Sequence, residues 1–248
     1  MHAAAFRALG LPHGYVARPT TADELPAVVQ ELRAGIWAGL NVTIPHKTAV
    51  LALVDEVHAS AKRVGAANTL VRRDGRVVAH NTDAEALAAE IEALAGGRLS
   101  GRALVLGSGG AARAAVVAAE SLGAGEVVVR ARTRREGFAV TQRWAADAAS
   151  ESRTDLVVQA TSAGMKGADP GEAVANVVDW SALPAHAVAV DVVYAPPVTP
   201  FLEAAARRGL RATCGLGMLA RQGALAFELW LGVPAPLDVM LAAISGAS

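Results

Sequence analysis

Gly101-Arg102-Ala103-Leu104-Val105-Leu106-Gly107-Ser108-Gly109-Gly110-Ala111-Ala112 runs from an apolar stretch through a glycine-rich turn into an alanine-rich one. A second apolar run, Val127-Val128-Val129, ends in Arg130-Ala131-Arg132-Thr133. Strand, glycine turn, helix and strand make a βαβ unit of the kind that holds a dinucleotide. The turn glycines let the backbone approach a pyrophosphate, whose charge sits on the free N–H groups of the helix start. Gly107, Ser108, Gly109, Gly110 and Ala111 are therefore candidate cofactor-binding residues, and Ala112 fills the small position where helix and strand pack. An NAD-preferring unit usually has Asp or Glu at the end of the second strand. This chain has Arg130, Arg132, Thr133, Arg134 and Arg135, with Glu136 arriving late. Guanidinium groups suit a ribose 2′-phosphate through paired, charge-assisted hydrogen bonds. NADP is the expected cofactor, with Arg132, Thr133 and Arg135 as its candidate phosphate contacts.

Outward from this unit the alternation continues. Asp155–Ala160 reads as a buried strand ending in Thr161-Ser162, and 187–193 as another ending at Tyr194. Thr199-Pro200 caps a helix that Gly209 stops. Strands alternating with helices imply a parallel sheet with ligands at the strands' carboxyl ends. Gly96-Gly97 and Gly101 mark a linker into this region.

The flanking segments read differently. Residues 2–9 form a helix stopped by Gly10 and Pro12. Gly39–Ile44 is a short strand, and Pro45-His46-Lys47 turns it into a helix over 48–54. Lys47 then lies at a helix N-terminus, where the macrodipole disfavours a cation. A residue that breaks a local rule is a candidate functional one. Residues 66–71 and 77–80 form a hairpin around Asp74-Gly75. Thr82 and Glu85 match a capping box, which explains Thr82 structurally, and Asp83 follows in the first turn. Near the C-terminus, Gly215-Leu216-Gly217-Met218 enters a helix whose apolar stripe carries Gln222, an amide that needs a partner.

Composition narrows the class. The 248 residues are 53% hydrophobic and 19% charged, a globular balance. Lys plus Arg equals Asp plus Glu at 23 each, which gives no support for a nucleic-acid partner. No apolar run reaches membrane-spanning length and no secretory signal is visible. The one cysteine, Cys214, fits a reducing compartment. The reading is a soluble cytoplasmic protein, monomer or homodimer, with a small-molecule substrate, no metal and no membrane contact.

Asn41-Val42-Thr43-Ile44-Pro45-His46-Lys47, Ala67-Asn68-Thr69, Asn81-Thr82-Asp83, the Gly107–Ala112 loop, and Gly217-Met218-Leu219 with Gln222 are each short. In this order and spacing they resemble the shikimate dehydrogenase family along nearly the whole chain. The resemblance implies a two-domain α/β fold, a Rossmann-type doubly wound parallel sheet plus a smaller α/β substrate domain. Residues 1–83 with 218–248 would be the substrate domain and 84–217 the NADP-binding domain. It implies hydride transfer between NADPH and the ketone of 3-dehydroshikimate, giving shikimate. Lys47 would serve as general acid with Asp83 holding its ammonium. Asn41, Thr43, Asn68 and Gln222 would bind ring hydroxyls, with Tyr194 a further substrate-facing position. Thr161, Ser162, Gly215 and Met218 would lie by the cofactor, Met218 near the nicotinamide.

Three departures qualify the resemblance. Met1–Phe6 resembles the segment just after the family's substrate-binding serines, which the chain as given does not hold, so weaker substrate affinity is expected. Ala131 replaces the Asn of the family's Asn-Arg-Thr motif and Glu136 a later basic residue, which leaves use of NAD open. Residues 162–167 look like those of a shikimate-dehydrogenase-like subgroup. Quinate or dual quinate/shikimate oxidation, and a weakly active NADP-binding paralogue, are the alternatives. A folate-linked dehydrogenase would need an aromatic platform that the sequence does not offer.

Overall fold

The computed structural model describes residues 1–133, 138 and 141–246. The chain divides into two compact units, Met1–Ala86 with Leu219–Ala247, and Leu87–Met218. The divisions fall inside the helices Asp83–Ala95 and Leu216–Leu231. Gly96-Gly97, expected as the linker, therefore lies within the second unit, because the preceding helix runs on past the division.

The first unit holds a four-stranded sheet of β1 (Gly39–Asn41), β2 (Glu56–Val57), β3 (Thr69–Arg73) and β4 (Arg76–His80), in the order β1-β3-β4-β2. β3 and β4 form the expected hairpin, in a register that pairs Thr69 with His80. The helix Leu25–Arg33 buries Leu25, Val28, Val29 and Leu32, one stripe at helical spacing, in a core with Val50, Leu70 and Val77. A second cluster joins Phe6 of the helix His2–Ala8 to Phe227 and Met240. Two local expectations fail around Lys47. The first strand stops at Asn41, because Thr43 turns the chain by accepting the His46 N–H at 2.9 Å and Pro45 has no donor to extend a ladder. The expected helix over 48–54 is a single 3₁₀ turn, Ala49–Ala52.

The second unit is a six-stranded sheet of β5 (Arg102–Leu106), β6 (Glu126–Arg130), β7 (Thr141–Gln142), β8 (Thr154–Gln159), β9 (Val188–Asp191) and β10 (Arg211–Thr213). Every pairing is parallel and the order is β10-β9-β8-β5-β6-β7. β5 is buried at every position, as expected of an inner strand covered on both faces. Chain order reverses between β5 and β8, so the crevice for a ligand opens beyond their carboxyl ends.

Candidate active site

In the first unit, hairpin register assembles the site. The Asn68 N–H donates to the His80 carbonyl at 3.1 Å, which sets Asn68 beside Asn81-Thr82-Asp83. The Ala67 N–H donates to the Lys47 carbonyl at 2.7 Å and brings that turn alongside. Lys47 Nζ then reaches Asp83 Oδ2 at 2.6 Å. The other carboxylate oxygen accepts from Asn68 Nδ2 at 2.9 Å. The same amide nitrogen lies 2.9 Å from Thr82 Oγ1 and 3.3 Å from Gln222 Oε1, so its two hydrogens are shared among three acceptors. Asn68 Oδ1 accepts the Thr82 N–H at 2.8 Å. Gln222 Nε2 donates to the Leu219 carbonyl at 2.9 Å, so Gln222 has both a backbone partner and a site partner.

Thr82 is the residue whose part was missed. Its hydroxyl donates to the Gln222 carbonyl at 3.0 Å, while Asn81 Oδ1 takes the Ala84 N–H at the helix start. The capping-box reading of Thr82 is thus corrected: Asn81 caps, and Thr82 stitches Asn68 to the helix bearing Gln222.

Asn41 lies at the end of β1, with its amide 3.4 Å from the Asn68 carbonyl and its Oδ1 accepting from the Tyr15 hydroxyl at 2.9 Å. Asn41 and the exposed Thr43 line a cavity of about 380 Å³ with Tyr15, Arg18 and His46; Lys47, Asp83, Asn68 and Gln222 do not. His80 stacks on His58 with ring centroids 4.4 Å apart. Burial, and then the neighbouring His58, push its pKa down to about 4, so it is neutral at pH 7.

In the second unit, Gly107 follows β5 with φ of 119°, and a Cβ there would sit 2.9 Å from the Ala160 carbonyl oxygen and 3.0 Å from Thr161 Cγ2. Only glycine permits both the conformation and the closeness of the two loops at the switch point. Ser108 and Gly109 lead into the helix Gly110–Ser121, whose start has no side-chain cap, and the space above Gly109 is open. Those helix N–H groups are free to take an anion. Thr161 Oγ1 accepts the Ala163 N–H at 3.1 Å, and Ser162 is exposed. Tyr194 is exposed in the loop after β9. Gly215 donates to the Val193 carbonyl at 3.0 Å, and a Cβ there would lie 2.1 Å from the Val192 oxygen, so glycine is required. Met218 is buried.

The basic run after β6 separates into two kinds of arginine. Arg130 is fully buried, with Nη1 2.7 Å from Glu151 and Nη2 2.7 Å from Gln142 Oε1, so this member of the basic run is held inside the unit. Arg132 is exposed, its guanidinium over the Trp144 ring 6.0 Å from the centroid, and Thr133 is exposed beside it. The Trp144 contact had no signal in the sequence, since it joins residues across a loop. Arg135 lies outside the described residues.

A parallel sheet with a glycine turn at its switch point, in a chain that also holds a carboxylate–ammonium pair among amides, defines an α/β protein of the dinucleotide-binding oxidoreductase class. The comparisons make this particular. The family model "Shikimate dehydrogenase substrate binding domain" matches residues 1–70, and "Shikimate 5'-dehydrogenase C-terminal domain" matches 215–244. Shikimate dehydrogenase (NADP(+)) of Citrifermentans bemidjiense is 40% identical over 99% of this chain and 89% of that protein. The crystal structure of shikimate 5-dehydrogenase from Thermus thermophilus, in complex with NADP(H) and shikimate, has a TM-score of 0.86 at 37% identity and covers 100% of this chain and 93% of that one. A 5-ketofructose reductase of Gluconobacter in its ligand-free form has a TM-score of 0.84 at 30% identity, covering 99% and 92%. The chain belongs to the shikimate dehydrogenase family. Among the described residues no helix is long and apolar enough to cross a membrane.

Proposed function

We propose that this protein is an NADP-dependent shikimate dehydrogenase, interconverting 3-dehydroshikimate and shikimate. The observation that carries the reading is the Lys47–Asp83 pair at 2.6 Å, held by Asn68 within a chain so similar to enzymes of that name. NADP fits the second unit: an uncapped helix start beneath open space at Gly109 accepts a pyrophosphate, and the exposed Arg132 with Thr133 accepts a 2′-phosphate. When bound, NADPH supplies the hydride for the substrate's carbonyl carbon.

The rest of the chemistry falls to the chain's own groups. Lys47 Nζ gives a proton to the carbonyl oxygen as negative charge develops there, and takes it back in the oxidative direction. Asp83, fixed by Asn68, holds the ammonium in one orientation and stays an acceptor throughout. In the first unit Asn41, Thr43, Asn68 and Gln222 are the proposed partners of the substrate hydroxyls; in the second, Tyr194 is a further substrate-facing residue. Polar groups used this way reject analogues lacking hydroxyls, which would leave them unpaired. Gly107, Ser108, Gly109, Gly110 and Ala111 hold the pyrophosphate, Thr161, Ser162 and Gly215 lie by the cofactor, and Met218 lies near the nicotinamide. Residues 1–83 with 218–248 serve the substrate and 84–217 the cofactor. We also read a cytoplasmic enzyme, monomer or homodimer.

The test is oxidation of shikimate and of quinate by the purified chain with NADP and with NAD, followed by absorbance of the reduced nicotinamide. NADP-linked turnover of shikimate above quinate is the expected result. Turnover of quinate alone, or of neither acid while 5-ketofructose is reduced, would overturn the substrate assignment.

A further inference from the structure

The proposed reaction uses no strand residue of the second unit's sheet, yet two polar side chains lie wholly buried at that sheet's carboxyl edge. Asp191 ends β9 and Gln159 ends β8, paired in register with each other, and neither exposes any surface. Asp191 Oδ1 accepts from Gln159 Nε2 at 3.2 Å and from the Val193 N–H at 2.9 Å, and Oδ2 accepts from the Thr199 hydroxyl at 2.5 Å. Gln159 Oε1 in turn accepts the Thr161 N–H at 2.5 Å, and its Nε2 donates to the Ala163 carbonyl at 2.9 Å. Through Val193 the connection reaches Gly215, whose N–H donates to the Val193 carbonyl. The loops at Thr161-Ser162 and Tyr194 thus meet on one buried carboxylate and its amide partner, and the Gly215 loop joins them through Val193.

We propose that Asp191 is a positioning residue for the reaction, holding through Gln159 and Val193 the loops that present Thr161, Ser162, Tyr194 and Gly215. This deepens the dehydrogenase reading and rests on it. A buried carboxylate is a poor choice if packing alone is at stake, since an apolar side chain avoids its desolvation. Burial indeed pushes the Asp191 carboxyl up to about 6, against the pull of its Thr199, Val193 and Gln159 donors. What the charge adds is strength and direction in hydrogen bonds whose donors belong to different loops. Thr199 also accepts the Leu202 N–H at 3.3 Å, which ties the far end of the Tyr194 loop to the start of the helix Pro200–Arg207. Displacing such loops by an ångström costs up to about 10²-fold in rate.

The test compares Asp191→Leu, Asp191→Asn and Gln159→Leu in the full chain, each measured on its folded fraction. Asp191→Leu should raise KM for both NADPH and shikimate and lower kcat by about 10²-fold, the cost of misplaced reacting groups. Asp191→Asn keeps the shape and an acceptor for Val193 and Gln159, so it should restore most of that loss. Gln159→Leu frees only the Thr161 side and should raise KM for NADPH more than for shikimate. If Asp191→Leu does not fold, Gln159→Leu carries the decision by the same split. Kinetic constants unchanged from the parent in the folded variants would overturn the proposal. NADPH binding is read in parallel by its own fluorescence. A parent that binds NADPH but oxidises neither shikimate nor quinate would sink the substrate assignment, while binding across the variants would still decide on Asp191.

Discussion

Two ion pairs of nearly equal length divide this molecule's labour. Lys47 and Asp83 meet at 2.6 Å with side chains 18% and 5% exposed; Arg130 and Glu151 meet at 2.7 Å with none of either exposed. Glu151 is surrounded by donors, accepting also from the Asp147 and Asp179 N–H groups, and Arg130 reaches Gln142 and the Val177 carbonyl. Such a pair braces the end of β6 against the short helix Ala148–Glu151. Among the described residues Lys47 has no comparable cage: its ammonium is anchored on one side by Asp83, and its side chain is 18% exposed. Distance does not separate a working pair from a structural one. What surrounds the pair does.

The sharpest way to break this comparison is Lys47→Ala. Loss of a general acid lowers turnover by about 10²–10⁴-fold; because the substitution also leaves the buried Asp83 carboxylate without its cation, turnover is read on the folded fraction. Steady-state kinetics should show that drop with NADPH binding intact. Turnover close to the parent's would remove Lys47 from the reaction.

Arg130→Met should do the reverse. It strands the Glu151 carboxylate in the interior, and breaking a buried pair from one side costs about 3–5 kcal/mol. Urea unfolding should show a large fall in the midpoint. Adding Glu151→Leu should recover part of the loss but not all, because the Asp147 and Asp179 N–H groups would then lack their acceptor. Full additivity of the two substitutions would show that the ion pair is not the brace described.

The two pairs were also unequally legible. Lys47 and Asp83 stand out in the sequence because each sits in a short, recognisable run, and because a helix starting at Lys47 would disfavour a cation there. That second reason was mistaken, since only a 3₁₀ turn follows it. Arg130 was read with Arg132 as one basic cluster, although alternation along an extended chain sends neighbours two apart to the same face only while the strand lasts. β6 ends at Arg130, so the two side chains part company there. The parallel sheet, the hairpin and the glycine turn were plain in the sequence because each is set by local pattern. The partners of Glu151, Gln159, Asp191 and Thr82 were not, because each is chosen across loops and strands far apart in the chain.

Asp191 is a third kind of buried charge, one with hydrogen bonds for partners. Its carboxyl is pushed from 3.8 to about 6 by burial, so the native state holds this proton more tightly than the unfolded chain. The stability it contributes is fully present below about pH 4 and is lost as pH rises through about 6. That loss is about 3 kcal/mol, at roughly 1.4 kcal/mol per pH unit. Asp191→Asn removes the titration, so the difference in unfolding free energy between variant and parent should grow in the variant's favour across that interval. A difference independent of pH would mean that Asp191 does not titrate there.

The smallest effect separates Arg130 from its neighbour two residues on. Arg132 is exposed and stacked over Trp144, a platform that limits the guanidinium's freedom before any ligand arrives. A charge-assisted hydrogen bond to a phosphate contributes about 1.5–3 kcal/mol. Arg132→Ala should therefore weaken NADPH by about 10–10²-fold and leave NADH almost unchanged, because NADH has no 2′-phosphate to lose. Unfolding should barely shift, in contrast to Arg130→Met. Trp144→Ala should follow in the same direction but more weakly, since it removes the platform and keeps the charge. Equal losses for NADPH and NADH on Arg132→Ala would reject the phosphate role and leave residues beyond Thr133 to account for cofactor choice.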